Sequence, residues 1–196
     1  MADTGWVLPV ECTSVDDVPG YSPYTFPWDN PENAETDDSN LASCWCPEGW
    51  GSSSELLVCR FSPSIPSGSS IDGIEVRLRR IASYEGEGDG DHQYDHIIRL
   101  ASSNTAASQF GENKALGFED PWDEGDYVDY GGPADTWGAT IALSLARQLR
   151  VHVAALVMAA AGFVNEADVY YVKLKVHYTP GVGETGTLAG SVGVAA

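Results

Sequence analysis

The chain has 196 residues, 43% of them hydrophobic and 20% charged, a composition that fits one folded globular domain and excludes a chain disordered throughout. Its 29 Asp and Glu against 10 Lys and Arg leave a net charge of −19. Nucleic acid and anionic membranes are excluded as partners, because phosphate binding needs clustered cations and only Arg77, Arg79 and Arg80 stand close together.

Met1 to Val10 carries Asp3 where a secretory signal would be basic, and no apolar run follows. The expectation is therefore a chain made in the cytoplasm, with no export signal of its own. Residues 1–40 are rich in proline and aromatics (Pro19, Pro23, Pro27, Pro31, Tyr21, Tyr24, Phe26, Trp28) without a helical period. They read as an extended segment whose rings dock on the body of the protein. Cys12, Cys44, Cys46 and Cys59 all fall in the first third. Their spacing suits structural zinc poorly, and a reducing compartment favours buried thiols over the alternatives, a disulfide or a metal.

From Leu41 onward the apolar pattern has period two: 41–46, 56–61, 71–81, 96–101, 136–146, 149–156 and 169–178. Within 71–81, Ile74, Val76 and Leu78 face one side, while Glu75, Arg77 and Arg79 face the other. Within 169–178, Val172, Leu174 and Val176 point inward, while Lys173, Lys175 and His177 point outward. Gly and Ser clusters separate these strands, and only Leu143 to Leu149 has a helical cast. Strands without long helices must bury their sheet faces on one another. The expected fold is all-β: a two-sheet β-sandwich, jelly-roll-like, over residues 41–179.

Two acidic loops invite chemistry. Glu85 to His96 alternates carboxylates with glycine, the ligand chemistry of calcium, with Asp89, Asp91 and Asp95 as candidate ligands; it lacks the order of an EF-hand, and a solvated hairpin loop is the plainer reading. His92 and His96 are four apart, a spacing for helical ligands, and read here as surface polar residues. Glu119 to Tyr130 pairs carboxylates with Trp122, Tyr127 and Tyr130, which would serve as sugar platforms; rings that pin a long loop are the plainer reading. No nucleophile elbow, phosphate loop, dinucleotide fingerprint or zinc-protease helix is present, so no catalytic residue is named and no cofactor beyond calcium is expected.

Val153 to Val164 is apolar but well short of the roughly 20 residues that span a bilayer, and reads as core. After Pro180 the chain becomes Gly- and Ala-rich with Glu184 as its one charge. Residues 180–196 read as an arm whose Leu188, Val192 and Val194 contact a neighbouring subunit or partner.

Several stretches taken together resemble a known family. Trp28-Asp-Asn-Pro-Glu-Asn-Ala34, Ser64-Ile-Pro-Ser-Gly-Ser-Ser-Ile-Asp-Gly-Ile-Glu-Val-Arg-Leu78, Gly111-Glu-Asn-Lys-Ala115, Tyr130-Gly-Gly-Pro-Ala-Asp-Thr-Trp-Gly138 and Val169-Tyr-Tyr-Val-Lys-Leu-Lys-Val-His-Tyr-Thr179 look like a β-sandwich domain of tailed-bacteriophage virion proteins. The resemblance implies a structural, non-enzymatic role on the virion. The absence of long repetitive shaft segments favours a head decoration or cement protein, a homotrimer seated on the outside of the major capsid protein. The runner-up is a carbohydrate-binding module at the virion surface or on a tail fibre, using Trp122, Tyr127 and Tyr130. The cysteines and the Glu85 to Asp95 loop depart from the family pattern.

Overall fold

The computed structural model describes residues 1–19, 25–46, 52–84, 92–122, 127–158 and 165–181. Strands β1 (Ala2–Asp3), β2 (Glu11–Val15), β3 (Thr25–Phe26) and β4 (Trp28–Asp29) come from the aromatic N-terminal segment, followed by a 3-10 turn at Pro31–Glu35. Then come β5 (Ala42–Cys46), β6 (Ser52–Ser54), β7 (Leu56–Arg60), β8 (Ser70–Tyr84) and β9 (His92–Ala101). The chain continues through β10 (Gln109–Phe110), β11 (Gly117–Pro121), β12 (Tyr127–Gly132), the single-turn helix α1 (Leu143–Ala146), β13 (Arg150–Met158) and β14 (Asn165–Thr179).

The strands form a two-sheet β-sandwich, as the alternation predicts. The first sheet runs β12-β8-β14-β5-β4, with β1 beside β14. The second runs β10-β9-β13-β6-β3, with β11 beside β9, and with β7 beside β13 and carrying β2. Successive long strands alternate between sheets, and the pairings nest: β8 lies against β14 while β9 lies against β13. Residues 70–84 with 165–179, and 92–101 with 150–158, thus form a nested, ribbon-like pairing across both sheets, the arrangement that jelly rolls use.

Strand parity selects the core. Ile74, Val76 and Leu78 of β8 and Val172, Leu174 and Val176 of β14 all lie in the main cluster between the sheets, joined by Leu57, Cys59 and Phe61 from the second sheet. At β7 both faces are buried, because Leu56 and Val58 point away from the main core into a second cluster with Val18, Ile97 and Ala154. A strand covered on both sides reads as the unbroken apolar run Leu56-Leu57-Val58-Cys59.

Three expectations change. Cys12 and Cys59 face each other in the β2–β7 register and are joined as a disulfide, not held as reduced thiols. Their distance in sequence hides a pairing that only the register creates. Cys44 is buried, its thiol donating to the Phe26 carbonyl. Residues 136–142 are not a strand: Trp137 and Gly138 both adopt positive φ, Asp135 Oδ1 accepts the Trp137 amide, and the buried indole donates to the Ile74 carbonyl at 3.0 Å. This corner closes because Gly131 lacks a Cβ, which would overlap the Ile74 carbonyl and the Trp137 ring. Finally, the N-terminal segment is partly regular, its β1 pairing with β14 and Trp6 lying over the outward lysine and arginine side chains. Lys173 and Lys175 are therefore half-buried and His177 is buried, where the alternation alone predicts a solvated face.

Candidate functional site

The outer face of the first sheet gathers polar and aromatic side chains, and a β-bulge builds it. Between Val169 and Tyr171 the β14 register slips by one against β8, since Val169 pairs with Arg80 and Tyr171 with Arg79. Strict alternation would send Glu166 and Asp168 to one face and Lys173 and Lys175 to the other. The extra residue puts all four on the outer face, while Ala167, Val169, Val172 and Leu174 stay inside.

At one end of the face the charges are cationic. Arg77 lies between two rings, 4.5 Å from the Trp6 centroid and 4.2 Å from that of Tyr127, and its Nε and Nη2 donate to Asp129 at 2.6 and 2.7 Å. That fork raises the Arg77 pKa above its ordinary value, the hydrogen bond to Asp129 being the main cause. Arg79 stacks on Tyr170 at 4.2 Å. Lys173 donates to Asp37 at 2.5 Å over the Tyr171 ring. Lys175 reaches Glu75 Oε2 at 3.0 Å, and the other Glu75 oxygen meets His177 Nε2 at 2.9 Å.

At the opposite end the charges are acidic. Ser43 donates to Asp168 at 2.5 Å and the Trp45 indole donates to Glu166 at 2.5 Å. Asp29 sits opposite Ser43 in the adjoining register. Burial, and then the neighbouring Asp168 charge, push the Glu166 carboxyl above the ordinary range. Trp45 is 55% exposed and Tyr127 at the other end is 57% exposed. Among the described residues, no three His, Cys, Asp or Glu side chains converge to hold a metal ion.

The expected site residues land elsewhere. Asp95 is on β9, not in a loop, and points into the core. Its Oδ1 accepts from Arg80 and from the Trp122 indole (2.9 Å), and its Oδ2 accepts from the Tyr130 hydroxyl at 2.6 Å. Arg80 Nη1 also donates to Tyr130 at 3.0 Å. A buried carboxylate with both oxygens engaged is a core anchor, so the calcium assignment of Asp95 is revised; Asp89 and Asp91 lie outside the described residues. Trp122 and Tyr130, sugar platforms only in the runner-up reading, are each 3% exposed and serve that anchor, whereas Tyr127 alone of the three presents its ring outside. Leu188, Val192 and Val194 also lie outside the described residues. His96 occupies the β9 bulge opposite Ala154 and Ala155, where burial lowers its pKa.

Sequence reasoning missed Trp6, Trp45 and Glu166. The one available signal was the run Glu166-Ala-Asp-Val-Tyr-Tyr-Val-Lys-Leu-Lys175, whose charges change sign about its centre. No helix of the described residues is long and apolar enough to cross a membrane. Comparison with family models, curated proteins and solved structures gives no match.

Proposed function

We propose that the chain is a non-enzymatic structural protein of a tailed-bacteriophage virion, a head decoration or cement protein that binds the outer surface of the assembled major capsid protein. The observation that carries this reading is the long outer face built on β8 and β14, stiffened by paired charges and stacked rings. A face of that kind suits another macromolecular surface better than a small substrate. The nested pairing of the long strands and the resemblance of the five sequence stretches support the same reading. On the particle the role is mechanical: packaged DNA presses the shell outward, and a clamp across neighbouring capsomers adds contact area that must be lost before they separate.

The exposed rings Tyr127 and Trp45 favour one second reading, a carbohydrate-binding sandwich at the virion surface or on a tail fibre. Mass spectrometry of separated heads and tails, from particles of the phage that carries the gene, distinguishes the two. Stoichiometric recovery with heads is expected. Recovery with tail fibres, together with glycan binding lost in Tyr127→Ala, selects the second reading, and absence from particles overturns both.

A further inference from the structure

We propose that the outer face of the second sheet carries an oxyanion site, formed by Arg99 and Arg150, which takes a dianion of the phosphate class. The site lies on the side of the sandwich away from β8 and β14, and it is independent of the virion reading.

The arginines of this face are far apart in sequence, and the register gathers them. Arg60 on β7 stands directly opposite Arg150 on β13. Arg99 on β9 stands opposite His152, two residues along β13 from Arg150. Their neighbours Cys59, Phe61, Ile98, Leu100, Leu149 and Val151 all enter the main core, so strand parity turns the three arginines outward. Diagonal positions on adjacent strands are about 7–8 Å apart, within reach of long side chains, so the Arg99 and Arg150 guanidinium groups can close on one ion.

Like charges opposite one another weaken a sheet, and a chain with 29 carboxylates has the means to neutralise them. It does so for Arg60, whose Nε donates to Glu11 at 2.8 Å. The other two are treated differently. Arg150 donates to neutral oxygens, Asn104 Oδ1 at 2.7 Å and the Ser102 carbonyl at 3.1 Å. Arg99 finds no acceptor among the described residues, and its Nε is buried. His152 between them offers no charge, since both ring nitrogens are engaged and burial, together with the Arg150 charge, keeps the imidazole neutral. Asp17, whose charge also reaches His152, already accepts the Ala106 amide at 2.5 Å.

A half-buried guanidinium without an acceptor has lost hydration that nothing replaces. An anion that supplies acceptors removes that cost. Two such cations favour a divalent ion over a single carboxylate, and a tetrahedral ion has oxygens enough to face both. The net charge of −19 opposes an anion at long range, but screening beyond about 8 Å at physiological salt leaves the local arginines to decide.

Titration calorimetry of the full chain with inorganic phosphate, glycerol phosphate and acetate, at one ionic strength set with NaCl, tests the site. Expected is saturable binding of inorganic phosphate, weakened about tenfold or more in Arg99→Gln and in Arg150→Gln, the worth of a charge-assisted hydrogen bond. Lys114→Gln, whose ammonium Glu112 and Asp135 already hold, should bind as the native chain does. Equal binding of glycerol phosphate supports a phosphate ester presented by a larger molecule, and binding of inorganic phosphate alone supports a free ion. In phosphate-free buffer Arg99→Gln should melt no lower than the native chain, because Arg99 has no bond of its own to lose; a purely structural arginine would show a loss. A native chain without saturable phosphate binding overturns the proposal, even if a variant fails to fold. Acetate bound as tightly as phosphate, phosphate affinity unchanged in Arg99→Gln, or an Arg99→Gln melt well below the native one also overturns it.

Discussion

Two quartets of the same four residue types, each built on an arginine of β8, have opposite surroundings in this sandwich. Arg80, Asp95, Tyr130 and Trp122 lie between the sheets, and Arg77, Asp129, Tyr127 and Trp6 lie outside the first sheet. In each, an arginine of β8 meets a carboxylate, a tyrosine of β12 and an indole. The inner arginine and carboxylate side chains are 3% and 0% exposed, the outer ones 24% and 41%. Strand parity makes the difference, because positions 77 and 80 are an odd number of residues apart and so project from opposite faces. Burial then decides what each is worth. Removing one partner from water-free surroundings strands the other charge, whereas solvent replaces a lost partner outside.

The sharpest way to break the comparison is Asp95→Ala, which leaves the Arg80 guanidinium buried without its carboxylate. It is expected to cost about 3–5 kcal/mol in a denaturant melt. Added calcium should leave the native melt unchanged, since the Asp95 oxygens are already engaged. A loss below about 1 kcal/mol would put the inner quartet on the same footing as the outer one.

Next in size is Cys12→Ala/Cys59→Ala. The bridge closes a loop with a sequence separation of 47, so opening it is expected to lower stability by roughly 2–4 kcal/mol through the entropy of the unfolded chain. A free-thiol assay on native protein, before and after reductant, checks that the pair is oxidised. The cost should appear in Asp95→Ala and in the native background alike, the two sites lying on different strands.

A third buried polar group sharpens the rule through pH. His152 faces away from the main core on β13, yet is buried, with Nε2 donating to the Ser103 carbonyl at 2.9 Å and Nδ1 accepting from the Gln109 amide at 3.1 Å. Burial lowers its pKa from 6.5 to about 4. The unfolded chain therefore binds the extra proton first, and stability falls as pH drops from about 6.5 towards 4, by on the order of 3 kcal/mol, then levels off below. Melts of native protein and His152→Gln across that window measure the difference, which the variant should largely lose.

The smallest effect belongs outside. Asp129→Ala is expected to cost less than about 1 kcal/mol, and less again in 1 M salt, because its Arg77 partner stays stacked between Trp6 and Tyr127 and in reach of water.

The contrast also explains what could be read before the structure. Alternation placed Ile74, Val76, Leu78, Val172, Leu174 and Val176 correctly, because a regular strand has one period and one buried face. It failed wherever the period breaks. The bulge near His96 turns Asp95 inward from what reads as an acidic calcium loop, and the one at Tyr170 carries Glu166 and Asp168 to the lysine face. Neither bulge has a residue signature of its own. The segment 136–142 alternates like a strand, but the left-handed backbone at Trp137 is held by a distant carbonyl, Ile74, that no local pattern contains. The disulfide was missed for a similar reason, since the register of β2 on β7 depends on everything between them.

The nested ribbon has a consequence for how the chain reaches this fold. Ala2 pairs with Tyr178, Ile74 with Val176 and Val151 with Leu100, so the central strand β14 leaves the ribosome after its partners β1 and β8. β1 and β8 must wait for it with their pairing edges and apolar side chains unsatisfied. Closing such distant contacts makes the search slow, on a scale of milliseconds to seconds for all-β sandwiches. Through that interval the strong negative charge has a second use: nascent chains with open edges repel one another until β14 arrives.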